Sequence, residues 1–323
     1  MSREEIYLSA LANSISVDDV DPRTRKEIML AYLCGCNGIS EADLPTPRTR
    51  EELYLYDMCC NGGGSSGGSS GSDGDAIPAD KYFEGGHVEV NLPNATKIKQ
   101  HAFYNDAVVT SISMPNATEI GIYSFRDCKN LATINLSAGL TSIGNYAFEG
   151  CSSLAITSLP NSLTSIGNYA FRNCKNLALT SLPSGMTSLS ERVFSGCTNL
   201  ALTSLPSSVT RIGKEAFNSC SNITLTSLPN SVTTIGEYAF SDCLKIALTS
   251  LPESLTSIST RAFSGCTKLT SITFKGTPNI IESTAFSNCL NLKTINVPWA
   301  EGAVANAPWG ATNATINYNY TGG

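Results

Sequence analysis

A repeat of about 23 residues fills most of this chain and leaves few folds open to it. Each copy contains a phenylalanine at the same place, and seven of these recur at every twenty-third position: Phe148, Phe171, Phe194, Phe217, Phe240, Phe263 and Phe286. Phe125 and Phe103 extend the row toward the N-terminus, with Phe103 one position closer than the period. Self-similarity at a fixed period of roughly 20–50 residues is typical of a solenoid. The sequence therefore predicts a stack of nine coils.

Cysteines repeat in step with the phenylalanines, at Cys128, Cys151, Cys174, Cys197, Cys220, Cys243, Cys266 and Cys289. Asp106 occupies the place where a ninth would stand. Equivalent side chains on stacked coils point the same way, which disfavours disulfides between neighbours. Thiol catalysis would need a nearby base, and the only histidines are His87 and His101. We expect buried, unpaired thiols that act as small apolar side chains.

Within a coil, apolar residues alternate with polar ones, which predicts short strands. The Ala-Phe pair that follows predicts a tight turn or a single helical turn. One coil cannot bury its apolar face alone, but stacked coils share a continuous core with strands about 4.8 Å apart. The predicted fold class is mainly β with short helical turns.

The repeated pattern Leu-x-x-Ile-x-Leu-Pro-x-x-Leu-x-x-Ile-Gly-x-x-Ala-Phe-x-x-Cys resembles the BspA-type (Treponema pallidum-type) leucine-rich repeats. The resemblance covers residues 88–298 and implies a leucine-rich-repeat solenoid of nine coils, each of about 22–23 residues. Leu131, Ile134 and Leu136 have the standard spacing. Five later copies carry their apolar residue one position earlier and a threonine in its place: Ile156-Thr157, Leu179-Thr180, Leu202-Thr203, Leu225-Thr226 and Leu248-Thr249.

The chain divides into four predicted parts. Residues 1–60 form an anchoring module, 61–76 a flexible Gly/Ser linker, 77–298 the solenoid and 299–323 a C-terminal cap. The cap contains both tryptophans, Trp299 and Trp309. An aromatic platform for a sugar is the alternative interpretation of these two residues.

The N-terminal module contains three short segments that each begin with Ser or Thr followed three residues later by Glu. This spacing is a capping box, so we predict a small all-α module of three helices. The apolar residues predicted to anchor it are Ile6, Tyr7, Leu8, Ile28, Leu30, Leu53, Tyr54 and Leu55. Helices this short must pack on each other or on a partner. Two interpretations of the module remain open: it forms a homo-oligomer, or it is a capping bundle without a partner.

Four cysteines in this module, Cys34, Cys36, Cys59 and Cys60, fit no zinc spacing well. We predict thiols rather than a metal site, although the sequence leaves metal binding open. No cofactor is predicted for any part of the chain.

The segments Pro22–Leu30 and Pro47–Leu55, followed by the Gly/Ser linker, resemble the N-terminal anchors of tail- or head-fibre proteins from phages of gut Firmicutes. The resemblance implies that the module docks on a virion structural protein. It also implies a protein made in the host cytoplasm and carried on the virion surface, since the N-terminus lacks the features of a secretory signal. A cytoplasmic location is the alternative.

Charge and composition narrow the function further. Residues 61–323 hold 15 Lys and Arg against 16 Asp and Glu, which disfavours nucleic-acid binding by the solenoid. No run of about 18 apolar residues exists to insert into a membrane. No phosphate loop, carboxylate pair or Ser-His-Asp set is recognisable, so we predict that the protein is not an enzyme.

Positions that vary while the frame of the repeat stays fixed should face solvent. Those predicted to contact a partner are Tyr146, Tyr169, Arg192, Lys214, Tyr238 and Arg261, because exposed Tyr and Arg favour interfaces. The leading hypothesis is an adhesin that binds a host cell-surface protein or glycan. An intracellular scaffold for protein–protein contacts and a bacterial cell-surface protein are the alternatives.

Overall fold

The computed structural model describes residues 89–321, which form a solenoid of about ten coils of about 23 residues. Each regular coil contributes two short strands, a leading strand and a trailing strand, and every pairing between coils is parallel. The prediction of a mainly β solenoid is confirmed.

The leading strands are β1 (Glu89–Asn91), β3 (Ser111–Met114), β5 (Thr133–Leu136), β11 (Ser250–Leu251), β13 (Ser271–Phe274), β15 (Thr294–Asn296) and β16 (Thr315–Asn317). The trailing strands are β2 (Lys97–Ile98), β4 (Glu119–Ile120), β6 (Ser142–Ile143), β7 (Ser165–Ile166), β8 (Ser188–Leu189), β9 (Arg211–Ile212), β10 (Thr234–Ile235), β12 (Ser257–Ile258) and β14 (Ile280–Ile281). Leading strands form the sheets β1-β3-β5 and β11-β13-β15-β16. Trailing strands form β2-β4-β6-β7 and β8-β9-β10-β12-β14.

The register of these sheets follows from the constant repeat length. Ile98 pairs with Ile120, which in turn pairs with Ile143, and all three side chains are buried. Because each coil places the same residue type at the same height, apolar side chains meet inside and polar ones meet outside.

The core is centred on the column of nine phenylalanines, each with 0% exposure. Neighbouring rings are nearly parallel, with centroids 5.0–5.7 Å apart and interplanar angles of 6–13°. This is the offset-stacked range in which aromatic pairs attract beyond the burial of their area.

The eight cysteines of the repeat line the same core, and all are buried and free. Each Sγ donates to the carbonyl oxygen of the phenylalanine in the preceding coil, at 2.8–3.1 Å. The prediction of inward, unpaired thiols is confirmed. Asp106, in the ninth place, instead accepts the backbone N–H groups of Val108 and Val109 through its Oδ1.

The segment around each phenylalanine is a pair of successive turns. In one coil the backbone has φ values of 57° at Tyr146 and 76° at Gly150. Positive φ is incompatible with a right-handed helix, so the tight turn is the correct one of the two predicted alternatives. Residues 89–321 contain no α-helix.

The four coils between β5 and β11 lack a leading strand, and all four carry the apolar residue one position early. The fifth such copy, with Leu248, keeps the short strand β11. In one of the four, Leu179 and Leu182 are buried while Thr180 and Ser181 between them are exposed. Because the apolar residue stands one position early, two exposed residues rather than one separate it from the next buried leucine. Inward and outward side chains then no longer alternate, and the hydrogen-bond ladder between leading strands is interrupted.

The interrupted ladder in these coils predicts that their backbone amide hydrogens exchange with solvent at locally different rates. Within the described residues, the amides of Leu179–Leu182 donate no backbone hydrogen bond, whereas Phe194 and Gly213 donate to the neighbouring coil at 3.0 and 2.8 Å. We expect the first group to exchange much faster than the second in native-state exchange followed by mass spectrometry. Equal protection of the two groups would show that the ladder is continuous.

The final coil closes the stack with tryptophan in place of phenylalanine. The Trp309 carbonyl accepts the amide of Phe286 at 2.9 Å, and its indole is fully buried against Phe274 and Trp299. The indole Nε1 donates to Ala305, and β16 extends the leading sheet by pairing with β15. Because Trp299 is also buried, the two indoles offer no platform to a sugar in solvent.

The predictions made for residues 1–88 lie outside the described residues. These are the three helices with their anchoring side chains, the linker, and the four cysteines considered as metal ligands. Among the described residues, no helix is long and apolar enough to cross a membrane.

Candidate recognition surface

Each regular turn contains two residues in the left-handed region, and they differ sharply in type. The position two residues after the phenylalanine holds Asn105, Asp127, Gly150, Asn173, Gly196, Ser219, Asp242, Gly265 and Asn288, with φ of 56–76°. Most of these are the types that tolerate this backbone best. The position two residues before it holds His101, Tyr123, Tyr146, Tyr169, Arg192, Glu215, Tyr238 and Arg261, with φ of 51–60°. We call this second set the αL column.

Backbone preference does not explain the αL column. A left-handed conformation costs a residue with a side chain roughly 1–2 kcal/mol, and a large residue gains nothing there from local hydrogen bonding. Glycine or asparagine would fit the same turn with less strain, as the other left-handed position shows. Contacts of the side chains themselves, rather than backbone preference, must therefore account for the residues found at these positions.

The first half of the column is a stack of aromatic rings. His101 stacks on Tyr123 with ring centroids 5.1 Å apart, Tyr123 on Tyr146 at 4.8 Å, and Tyr146 on Tyr169 at 4.6 Å. The interplanar angles are 8–18°, and all four side chains are half-buried. The turns thus hold four rings in a fixed row along the solenoid.

A flanking row, formed by Tyr104, Arg126, Glu149 and Arg172, runs beside the rings. The guanidinium of Arg126 lies 5.4–5.9 Å from the ring centroids of Tyr104, Tyr123 and Tyr146, within cation–π range. The Glu149 side chain is only 8% exposed, and its carboxylate forms ion pairs with Arg126 at 2.8 Å and Arg172 at 3.0 Å. One buried carboxylate therefore holds two guanidinium groups against the rings.

The second half of the column is mostly charged, and its side chains hydrogen-bond to one another or to Tyr169. Arg192 donates to both carboxylate oxygens of Glu215, which raises the pKa of the guanidinium, and its Nη1 donates to the Tyr169 hydroxyl at 2.9 Å. That hydroxyl donates to Glu191 at 3.0 Å, and its pKa is raised by burial and by this hydrogen bond. Farther along, Arg261 donates to the Tyr238 hydroxyl at 2.7 Å.

Five of the six residues predicted to contact a partner belong to the αL column: Tyr146, Tyr169, Arg192, Tyr238 and Arg261. Lys214 precedes Glu215 and pairs with Glu237 at 2.7 Å, a contact that raises its pKa. Arg261 is exposed and the other five are half-buried. Their part in partner binding stays a prediction.

Sequence reasoning missed His101, Tyr123 and the whole flanking row. The first coil is one residue shorter than the others, which shifts the count and hides Tyr123 from a fixed offset measured from cysteine. Counting from the phenylalanine would have found it. The flanking row was visible as the residue that follows each phenylalanine, where Arg126, Glu149 and Arg172 alternate in charge.

The surface includes two open grooves besides the column. One, of about 460 Å³, lies where β5 loses its partner and is lined by residues 133–136, 138 and 155–160. The other, of about 510 Å³, runs over the trailing strands β2, β4, β6 and β7, with Gly121, Gly144 and Gly167 among its lining residues. Neither groove contains a cysteine or a histidine.

The eight thiols of the described repeats are buried and offer no accessible nucleophile to a substrate. Burial raises the pKa of Cys197, Cys220 and the neighbouring thiols well above the ordinary value of 9.0, and that of Cys289 to about 12. Within the described part of the chain, no three His, Cys, Asp or Glu residues come together as metal ligands.

Parallel coils, a shared apolar core and variable turn residues define a leucine-rich-repeat solenoid. The sequence matches the family described as "BspA type Leucine rich repeat region" in six copies, over residues 96–224 and 191–302. The chain belongs to this family. It has the leucine-rich-repeat fold that serves protein interaction, which supports a non-enzymatic recognition role.

Several solved structures are similar to this chain. A leucine-rich repeat protein from Bacteroides ovatus is 25% identical, with a TM-score of 0.52 over 71% of this chain and 68% of that one. A leucine rich cell surface protein from Faecalibacterium prausnitzii is 24% identical, with a TM-score of 0.49 over 73% and 89%. The Treponema pallidum leucine rich repeat protein is 29% identical, with a TM-score of 0.46 over 50% and 79%. No curated protein matches the sequence.

Proposed function

We propose that the protein is an adhesin whose αL column binds a protein or glycan on a cell surface. The observation that carries the proposal is the retention of large side chains at strained left-handed positions in eight successive coils. Stacking and ion pairs fix these side chains before a partner arrives, which lowers the entropy lost on binding. Tyr and Arg are the residue types that most often dominate the energy of interfaces.

The test compares two variants of the full chain in binding to a panel of host-cell glycans and surface proteins. In the first, Tyr146, Tyr169 and Tyr238 are replaced by Asn, which suits the left-handed backbone and should preserve the fold. We expect its affinity to fall at least about tenfold, since truncating a hot-spot residue removes more than about 1 kcal/mol. Circular dichroism should show the same secondary structure.

The matched control replaces Thr157, Thr180 and Thr249, which are exposed on the leading-strand face, by Ala. We expect this variant to bind like the wild type. If the asparagine variant retained full affinity, or the threonine variant lost it, the binding surface would lie outside the αL column.

We propose further that residues 1–60 fasten the protein to a virion, as their resemblance to fibre anchors suggests. Co-sedimentation of the chain with phage particles tests this location. Recovery only from the soluble cytosol would favour the intracellular scaffold, and cleavage by protease added to intact bacteria would favour a bacterial surface protein.

A further inference from the structure

The stacking geometry of the αL column restricts what the column can bind. Sugars bind tyrosine through the face of the ring, yet each face of Tyr123 and Tyr146 is covered by a neighbouring ring at 4.6–5.1 Å. The outer face of Tyr169 is covered by the Arg192 guanidinium, 5.3 Å from the ring centroid. The column therefore offers ring edges rather than ring faces.

Most of the arginines in and beside the column already form ion pairs within the protein. Arg126 pairs with Glu149 and lies 3.6 Å from Asp127, and Arg172 shares Glu149. In the second half of the column Arg192 pairs with Glu215, and the exposed Arg261 donates to the neutral Tyr238 hydroxyl. A polyanion would have to compete with these carboxylates for the guanidinium groups. Around Tyr104, Tyr123 and Tyr146 these ion pairs leave little net field to steer a charged ligand.

Uncharged hydrogen-bonding groups remain available at the surface. Within residues 89–321, the hydroxyls of Tyr104, Tyr123 and Tyr146 make no hydrogen bond, and their side chains are half-buried. Ring edges carry the positive end of the aromatic quadrupole, and the free hydroxyls can donate. Edges and hydroxyls together therefore suit hydrogen-bond acceptors such as backbone and amide carbonyl oxygens, which need no charge.

We propose that Tyr104, Tyr123 and Tyr146 bind edge-on to an uncharged, carbonyl-rich surface of a partner protein, in a contact that is insensitive to salt. The proposal rests on the proposed function and selects a protein over a glycan as the partner of the same surface. The contact spans the coils of Phe103, Phe125 and Phe148.

The experiment probes the full chain against an array of recombinant cell-surface ectodomains and an array of defined glycans from the same host. We expect binding to an ectodomain, with an affinity that changes less than about twofold between about 0.05 and 0.5 M salt. Replacing Tyr123 and Tyr146 by Phe removes two hydroxyls and keeps the stack. The affinity should fall about tenfold, because each lost hydrogen bond contributes about 0.5–1.5 kcal/mol.

Tyr318→Phe in the final coil is the matched control and should bind like the wild type. Binding to glycans that depends on the column tyrosines would overturn this inference and leave the proposed function intact. An ectodomain contact that weakens steeply with salt, or that survives the double Phe substitution unchanged, would also overturn it. Binding to neither array would contradict the inference and the proposed function together.

Discussion

Replacement of Phe194 by Ala should lower the free energy of unfolding by about 3–5 kcal/mol, the usual effect of truncating a buried aromatic residue. Phe194 has no exposed surface and stacks on Phe171 and Phe217, each at 5.7 Å. The cavity would lie in the middle of the stack, where the coils on both sides hold its walls apart. Urea unfolding followed by far-ultraviolet circular dichroism measures the change.

Phe194→Leu is the control for this substitution, because it keeps most of the apolar volume and loses only the stacking. We expect it to lower stability by less than half as much as Ala. A loss below about 1 kcal/mol for Phe194→Ala would mean that the coils collapse onto the vacated space, and the column would then not be the centre of the core.

The buried thiols should make the solenoid unstable in alkali. Burial raises the pKa of Cys197, Cys220, Cys243 and Cys266 well above 9.0 and that of Cys289 to about 12, so the folded state keeps protons that the unfolded state releases. Their contribution to stability is fully present below about pH 9 and is lost as the pH rises toward the pKa of the folded state. Each thiol should contribute a slope of up to about 1.4 kcal/mol per pH unit in this window.

The Cys220→Ala variant isolates one such thiol from the other alkaline titrations. The difference in unfolding free energy between wild type and variant should be constant from pH 6 to 8 and should shift against the wild type above about pH 9. A difference that stays constant to about pH 11 would mean that the Cys220 thiol ionises in the folded state as easily as in the unfolded chain.

The stack of coils was predictable because the apolar residues recur about every 23 positions, and only stacked coils place such residues in a shared core. With a phenylalanine at the same place in every repeat and a cysteine in all but the first, only inward-facing columns can bury all of them, and both columns are buried. The five copies with a displaced apolar residue were also visible in the sequence. That the displacement removes the leading strand from four of these five copies was not foreseen, because strand pairing depends on the neighbouring coil as well as on the local pattern.

The conformation of the turns could not be read from the sequence. Tyr146 and Arg192 have no local preference for the left-handed region, so only the constraint of returning the chain to the next coil places them there. The bridging role of Glu149 is likewise tertiary, because its two arginines belong to the neighbouring coils on either side. Patterns within one coil carry no information about contacts between coils.

Hydroxyl-radical footprinting of the protein bound to its partner tests most directly whether the αL column is the contact surface. Tyrosine oxidation reports side-chain exposure, and Tyr318 and Tyr320 in the final coil supply an internal reference. We expect Tyr104, Tyr123 and Tyr146 to be protected in the complex while the two reference residues are oxidised as in the free protein. Unchanged oxidation of Tyr104, Tyr123 and Tyr146 in the complex would contradict this assignment.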